Sequence, residues 1–230
     1  MMKLAGFARN SFVDYPGRIA CVVFTAGCNY DCFFCHNRAI IQTDVKTIPI
    51  EGVLEFLEKR RGLLDAVVIS GGEPTLQDGL IEFASKIKQM GYLCKLDTNG
   101  SRPQAVKSLL DGGLLDYVAL DIKAPQEQYL QYCGDADFNA VLATLAMLRR
   151  DSVEYECRTT FLPQLTIEDI GRMAMAIAPV KRYALQAYRI PPIYKPTDRF
   201  RVTAAGHSPA EIKLAAEAAK ACGGEVIVRA

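Results

Sequence analysis

The sequence predicts an α/β fold in which helices cover a parallel β-sheet. Short apolar runs, typical of buried strands, alternate with helical patterns along the chain. A polar or glycine-rich motif follows the carboxyl end of nearly every predicted strand, and in a parallel sheet these ends meet at one edge. The 230 residues suffice for one domain with a sizeable core. These observations leave a doubly wound sheet and a (β/α) barrel both open.

The elements follow one another as strand, loop and helix. Strands are predicted at residues 19–24, 66–69, 92–96, 116–122, 153–161, 182–188 and 225–228. Helices are predicted at residues 50–59, 80–90, 104–110, 139–150, 167–177 and 209–222. Asp137 is expected to cap the helix that begins near residue 139. The segment 190–201 carries three prolines and is expected to be irregular.

Composition and charge argue against several classes of protein. Half of the residues are hydrophobic, which is normal for a globular domain. The formal charge of +1 provides no basic field for nucleic acid or for a membrane surface. No apolar run approaches the roughly 20 residues that span a bilayer, and the N-terminus lacks a signal-peptide pattern. We therefore expect a cytoplasmic protein whose cysteines stay reduced.

One short loop gathers three of the eight cysteines, Cys28, Cys32 and Cys35. Their thiolates can converge on one soft metal centre, yet iron–sulfur clusters are normally held by four cysteines. A missing fourth ligand leaves one coordination position open, as in catalytic rather than structural zinc sites. The spacing thus favours a four-iron cluster whose fourth iron binds a substrate or cofactor.

Other metal sites use similar residues. The string from Cys32 to His36 reads C-x-x-C-H, which suggests attachment of a c-type haem, but that interpretation leaves Cys28 unexplained. A structural zinc site would need Cys35 and its neighbour His36 to converge, and no second C-x-x-C pair follows. A redox dithiol would use Cys32 and Cys35 alone. The cluster accounts for all three thiols.

The Cys28-x-x-x-Cys32-x-x-Cys35 motif, with Phe34 before its last cysteine, resembles the signature of radical S-adenosylmethionine (SAM) enzymes. The surrounding sequence, at residues 6–7, 11–17 and 35–37, resembles the activating enzymes of glycyl-radical enzymes. Within that group it is most similar to the activase of anaerobic ribonucleoside-triphosphate reductase, with the pyruvate formate-lyase activating enzyme as near neighbour. The resemblance extends to about residue 160 and is thin after residue 186.

This resemblance implies a fold, cofactors and partners. The fold would be an incomplete (β/α)6 barrel in a single domain, 1–230, with a core barrel at about 18–190 and a C-terminal extension at 191–230. The protein would be an oxidoreductase using a [4Fe–4S] cluster, SAM and a monovalent cation. Its partners would be a glycyl-radical enzyme and an electron donor such as flavodoxin or ferredoxin. Residues 37–66 contain no cysteine, so we expect a single cluster.

Gly71, Gly72 and Glu73 follow the second predicted strand. Glycines let the backbone approach a ligand closely, and carbonyls here or Glu73 could accept hydrogen bonds from the α-ammonium of SAM. An ordinary strand-to-helix turn would use the same residues. After the third strand, Asp97 and Thr98 resemble the acidic strand end that helps to hold a cation beside SAM.

Asp121 and Lys123 are two residues apart on the fourth predicted strand, so both side chains point to one face. An Asp–Lys pair is costly to bury in a core but suits a ligand-lining edge, where Lys123 would meet the methionine carboxylate and Asp121 a ribose hydroxyl or a cation. Further expected contacts are Phe34 with adenine, Gln186 and Arg158 at later strand ends, and Asp14 with the incoming glycyl loop.

Two other functions use the same motifs. A radical SAM enzyme acting on a small molecule would need an enclosed second pocket beside SAM, whereas an activase would need a broad groove. A metal-binding scaffold would use the three cysteines structurally and would cleave no SAM.

Overall fold

The computed structural model describes residues 2–42, 44–134 and 136–229. Within these ranges the strands form one sheet of eight. The strand order follows the chain, with the first strand antiparallel to the second and all later neighbours parallel. The strands are β1 (Leu4–Ser11), β2 (Ala20–Thr25), β3 (Ala66–Gly71), β4 (Leu93–Thr98), β5 (Tyr117–Asp121), β6 (Glu154–Phe161), β7 (Arg182–Ala187) and β8 (Glu225–Arg229).

Helices connect the parallel strands and confirm the predicted α/β architecture. They are α1 (Ile50–Lys59), α2 (Leu80–Gln89), α3 (Pro103–Asp111), α4 (Tyr129–Cys133), α5 (Phe138–Arg150), α6 (Ile167–Ala176), α7 (Arg199–Val202) and α8 (Pro209–Ala219). Asp137 caps α5 by accepting a hydrogen bond from the Asn139 backbone, as predicted. Among the described residues, no helix combines the length and apolar character that crossing a bilayer requires.

β1 is the one strand that the sequence did not predict. Its residues include Gly6, Arg9 and Asn10, and only its two end residues, Leu4 and Ser11, are buried. An edge strand needs one paired neighbour and little apolar surface, so it carries a weak sequence signal. At the other edge, β8 of the C-terminal segment pairs in parallel with β7.

The two faces of the sheet differ in character. One face packs against the helices through alternate strand residues such as Cys21, Val67 and Leu96. The other face carries a small apolar cluster at its amino-terminal end, where Tyr15 packs on Tyr117 at a centroid separation of 5.6 Å. Because side chains alternate along a strand, polar residues in register with that cluster point away from the helices. This inner face positions the candidate site.

Candidate functional site

A cavity of about 200 Å³ lies where strands β2 to β6 end. Twelve of the thirteen residues predicted to contact the cluster or SAM line it: Cys28, Cys32, Phe34, Cys35, Gly71, Gly72, Glu73, Asp97, Thr98, Asp121, Lys123 and Arg158. The thirteenth, Gln186, lines an adjoining cavity of about 350 Å³ that shares Phe34, Asp121 and Lys123 with the first. The carboxyl ends of parallel strands thus bring together motifs that are distant in sequence.

Backbone hydrogen bonds hold the cysteine loop from several sides. The Cys28 amide donates to the Ile41 carbonyl at 3.0 Å, and the Cys35 amide donates to the Cys32 carbonyl at 3.2 Å. The Arg38 guanidinium donates to the Cys32 carbonyl at 2.6 Å and forms an ion pair with Asp31 at 2.9 Å. The loop is therefore fixed before any ligand binds.

The C-terminal segment also contacts this loop. Lys195 pairs with Asp31, and the Arg201 guanidinium lies 3.9 Å from the centroid of the Phe33 ring. His36 and the Arg189 carbonyl form a hydrogen bond of 2.9 Å. The irregular segment predicted at 190–201, in which the short helix α7 begins, thus lies against the cysteine loop.

The three thiols fit an iron–sulfur cluster. Burial raises the pKa of Cys28 to about 12 and also raises the pKa of Cys35. A hydrogen bond with Cys133, together with burial, raises the pKa of Cys32. Metal coordination requires thiolates, so these thiols need the positive charge of bound iron in order to ionise.

No three His, Cys, Asp or Glu side chains in the described ranges are close enough together to hold a single metal ion. A four-iron cluster takes one thiolate per iron, so its cysteines surround it at a distance from one another. Three thiols that line one cavity suit that larger group.

Close contacts with the backbone of β2 and of the cysteine loop require Gly71 and Gly72. A β-carbon on Gly71 would lie 2.2 Å from the Thr25 nitrogen, and one on Gly72 would lie 1.9 Å from the Gly27 carbonyl oxygen. Gly71 also has a φ of +119°, a conformation that favours glycine. Contact with the backbone of β2 and of the cysteine loop is therefore a sufficient reason for both glycines, in addition to the expected approach of a ligand.

The Glu73 carboxylate joins two of the predicted motifs. It is buried and accepts hydrogen bonds from the Thr75 amide and hydroxyl at 3.0 and 2.5 Å, from the Thr98 hydroxyl at 2.8 Å and from the Asn99 amide at 2.7 Å. Burial raises the pKa of Glu73, and these donors partly offset the rise. The side chain thus fixes the end of β4 against the glycine turn. The Asn99 side-chain amide donates a hydrogen bond of 3.1 Å to the Asn29 side chain in the cysteine loop.

Five charged side chains form an alternating chain across β4, β5 and β6. The Lys95 ammonium contacts Asp97 at 2.7 Å, and Arg158 contacts Asp97 at 3.2 Å and Asp121 at 2.8 Å. Asp121 then contacts Lys123 at 3.2 Å, as their spacing predicted. Burial alone would raise the pKa of Asp97, but the charges of Arg158 and Lys95 lower it to about 2.

Lys95 was missed in the sequence analysis, and Arg158 was named there only as a contact at a later strand end. Lys95 is two residues before Asp97 on one strand, so the alternation argument that joined Asp121 with Lys123 would have found it. Arg158 is paired with Asp121 in the register of β5 and β6, which only the sheet order reveals.

Phe34 and Asp14 each have protein contacts in addition to the cavities that they line. Phe34 is buried and meets the Phe33 ring edge-on at 5.1 Å. Asp14 accepts a short hydrogen bond from the Ser11 hydroxyl and lines a third cavity, of about 580 Å³, together with Gln186. Cys133, to which the sequence assigned no role, lies beside Cys32.

Residues 22–177, more than half of the chain, match the sequence model of the radical SAM superfamily. The chain belongs to that superfamily. Its members use a [4Fe–4S] cluster and SAM, which are therefore the cofactors of this protein.

Two similar proteins come from Methanocaldococcus jannaschii. "Putative glycyl-radical enzyme activating enzyme MJ1227" is 35% identical over 80% of this chain and 79% of its own length. "Putative glycyl-radical enzyme activating enzyme MJ1632" is 28% identical over 66% of this chain, which spans 60% of that protein. A "Probable GTP 3',8-cyclase" of Thermococcus kodakarensis is 30% identical over 53% of this chain and 40% of its own length.

Solved structures share the fold. SuiB of Streptococcus suis, bound to its precursor peptide SuiA, has a TM-score of 0.69 at 12% identity and covers 91% of this chain and 48% of its own. A domain of a pyruvate-formate lyase-activating enzyme from Bacteroides vulgatus has a TM-score of 0.57 at 14% identity, over 72% of this chain and 99% of its own. At such identities the likeness concerns the fold alone.

Proposed function

We propose that this chain is the activating enzyme of a glycyl-radical enzyme, and that Cys28, Cys32 and Cys35 hold its cluster. The observation that carries the assignment is the single cavity that joins these thiols to the predicted SAM contacts. Similarity to the two Methanocaldococcus proteins supports the class of substrate. When bound, the cluster supplies one electron that cleaves SAM into methionine and a 5′-deoxyadenosyl radical.

In this proposal the protein binds and orients SAM. Lys123 pairs with the SAM carboxylate, and backbone carbonyls around Gly71 and Gly72 accept hydrogen bonds from its α-ammonium. The side-chain amide of Asn37 already donates a hydrogen bond of 2.6 Å to the Gly71 carbonyl, which fixes the direction of that carbonyl. Phe34 contacts the adenine, and Asp121 contacts a ribose hydroxyl. Glu73 and Thr98 act by supporting the cavity wall, because their polar atoms bond to one another.

The protein substrate would enter from the side of Asp14. The cavity of about 580 Å³ beside the SAM cavity is lined by Asp14, His36 and Gln186, among others. Phe12 and Val13, which precede Asp14, are 74% and 82% exposed. An accessible apolar turn next to a wide cavity fits a polypeptide loop better than a small molecule. The radical would remove a hydrogen atom from a glycine α-carbon, giving 5′-deoxyadenosine and a glycyl radical.

The finer assignment is that the partner is an anaerobic ribonucleoside-triphosphate reductase. It rests on the residues around Asp14 and around the cysteines, and a pyruvate formate-lyase is the alternative. We further propose a cytoplasmic location and an electron donor such as flavodoxin or ferredoxin. The test mixes the reconstituted, reduced protein and SAM with each candidate enzyme anaerobically. A glycyl doublet in the EPR spectrum of one candidate identifies the partner, and no doublet with any glycyl-radical enzyme would contradict the assignment.

A second candidate function is radical chemistry on a small molecule. The similarity to the GTP cyclase, which covers about half of this chain, favours it. Such an enzyme would consume SAM when given GTP or another small substrate, without a protein partner. Release of 5′-deoxyadenosine that depends on a small molecule would support this function, whereas stimulation by a glycyl-radical enzyme alone would support an activase. Zinc in place of iron, without SAM cleavage, would support a metal-binding scaffold.

A further inference from the structure

The alternating charges on the inner face of the sheet leave no carboxylate oxygen of Asp97 or Asp121 without a cationic partner. The two oxygens of Asp97 contact Lys95 and Arg158 separately. Those of Asp121 contact Arg158 and Lys123 separately. The Lys95 side chain is only 2% exposed, and those of Asp97 and Arg158 are 11% and 13% exposed.

The net charge of these five alternating side chains determines which ligands can bind beside them. They comprise three cations and two anions, so the group carries a net charge of +1. A further carboxylate on the same face, Glu156, is neutralised by Arg229 at 2.6 Å. The Glu73 carboxylate is occupied by Thr75, Thr98 and Asn99. An added alkali ion would raise the charge of a largely buried group to +2, which desolvation and repulsion oppose. A ligand carboxylate would neutralise it.

The Lys95 ammonium has the oxygen partners that an alkali ion would take. It contacts the Asp97 carboxylate at 2.7 Å and also donates to the Asp14 carbonyl at 2.6 Å. Carboxylate and backbone carbonyl oxygens are ligands of hard and monovalent cations in proteins. The side chains around Asp97 therefore do not fit the additional monovalent cation that the family resemblance led us to expect.

We propose that the Lys95 ammonium, together with the Arg158 guanidinium, takes the place of a monovalent cation beside Asp97, so that SAM binding needs no alkali ion. Lys95 acts as a positioning residue: it holds Asp97, which orients Arg158 and, through Asp121, Lys123. The inference rests on the proposed SAM site and does not depend on which glycyl-radical enzyme is the partner.

The first test measures SAM affinity of the anaerobically reconstituted, oxidised protein, which does not turn over, by equilibrium dialysis. The wild type is expected to bind SAM equally well, within about twofold, in potassium chloride and in choline chloride of equal ionic strength. Lys95→Ala is expected to lose about tenfold in choline chloride, a factor equal to about 1.4 kcal/mol. Potassium or methylammonium chloride should restore most of that loss by filling the vacated position.

The matched control is Lys88→Ala, which removes an ion pair of similar length, 2.6 Å to Asp116, outside the cavity. Its SAM affinity should match the wild type in both salts. A wild type that loses SAM affinity in choline chloride would overturn the proposal. A Lys95→Ala protein that remains weak in potassium and in methylammonium chloride would overturn it too.

A second readout needs no SAM and separates this inference from the proposed function. Thermal unfolding of the cluster-free protein is followed by circular dichroism in the same salts. Potassium should raise the unfolding midpoint of Lys95→Ala by several degrees, since a bound ion stabilises the folded state. The wild type and Lys88→Ala should each have the same midpoint in potassium chloride as in choline chloride. If SAM does not bind at all, the site assignment is wrong, and this comparison alone decides the role of Lys95. Equal midpoints for Lys95→Ala in both salts would overturn the proposal.

Discussion

Gly72→Ala tests whether the glycine turn supports the cysteine loop. The new β-carbon would lie 1.9 Å from the Gly27 carbonyl oxygen, 1.5 Å short of the 3.4 Å of an ordinary contact. One backbone must move, and the hydrogen bond of 2.8 Å from the Glu73 amide to the same oxygen breaks. Overpacking costs about 1–3 kcal/mol and the lost bond about 1 kcal/mol. We expect a loss of about 2–4 kcal/mol in the free energy of unfolding.

The assays are thermal unfolding of the cluster-free protein and iron content after reconstitution. The loss corresponds to a drop in midpoint of roughly 5–15 °C for a domain of this size, and iron content should fall because Cys28 follows Gly27 directly. Gly52→Ala is the control: it lies in helix α1, where the added carbon meets no atom within 4 Å apart from its chain neighbours and the backbone of its own helix. Alanine should stabilise that helix by about 0.5–1 kcal/mol. A Gly72→Ala protein with wild-type midpoint and full iron would refute the reasoning.

Three further predictions concern the same site. Glu73→Gln replaces an acceptor of four hydrogen bonds by an amide with one acceptor oxygen, and should cost about 1–3 kcal/mol in chemical denaturation; an unchanged midpoint would contradict its supporting role. The pKa of Asp97 is lowered to about 2, so its ionised carboxylate contributes about 2 kcal/mol to the free energy of unfolding above pH 4. This contribution is lost as the pH falls towards 2. Acid titrations of unfolding should show that loss in the wild type and a smaller one in Asp97→Asn. Cys32→Ala should abolish SAM cleavage with a largely intact fold, whereas Cys133→Ser should retain the cluster by EPR; SAM cleavage by Cys32→Ala would exclude the proposed ligand set.

Periodicity and motif spacing predicted the fold and most of the candidate site. The parallel strands are short runs rich in apolar residues, and α1 has the predicted bounds because its apolar residues recur at helical spacing. β1 was missed because an edge strand with polar residues carries no such signal. Twelve predicted site residues share one cavity because each lies near or beyond the carboxyl end of a strand.

What the sequence could not predict depends on contacts between distant residues. Gly71 and Gly72 were identified, but their contact with Thr25 and Gly27 became visible only in three dimensions. Glu73 was one possible acceptor for the α-ammonium of SAM, but its bonds to Thr98 and to the Asn99 backbone were not foreseen. No local pattern reports which side chain in another strand completes a hydrogen bond.

The hydrogen bonds that hold the cysteine loop to distant parts of the chain determine how iron is lost. Asp31 of this loop is bonded to Cys133 and to Lys195, which follow it by more than 100 and 160 positions. Contacts between residues so distant in sequence persist only while the whole chain remains folded. Metal retention is therefore a property of the whole molecule, and on heating, bleaching of the cluster's visible absorbance should coincide with loss of helical signal in a single transition.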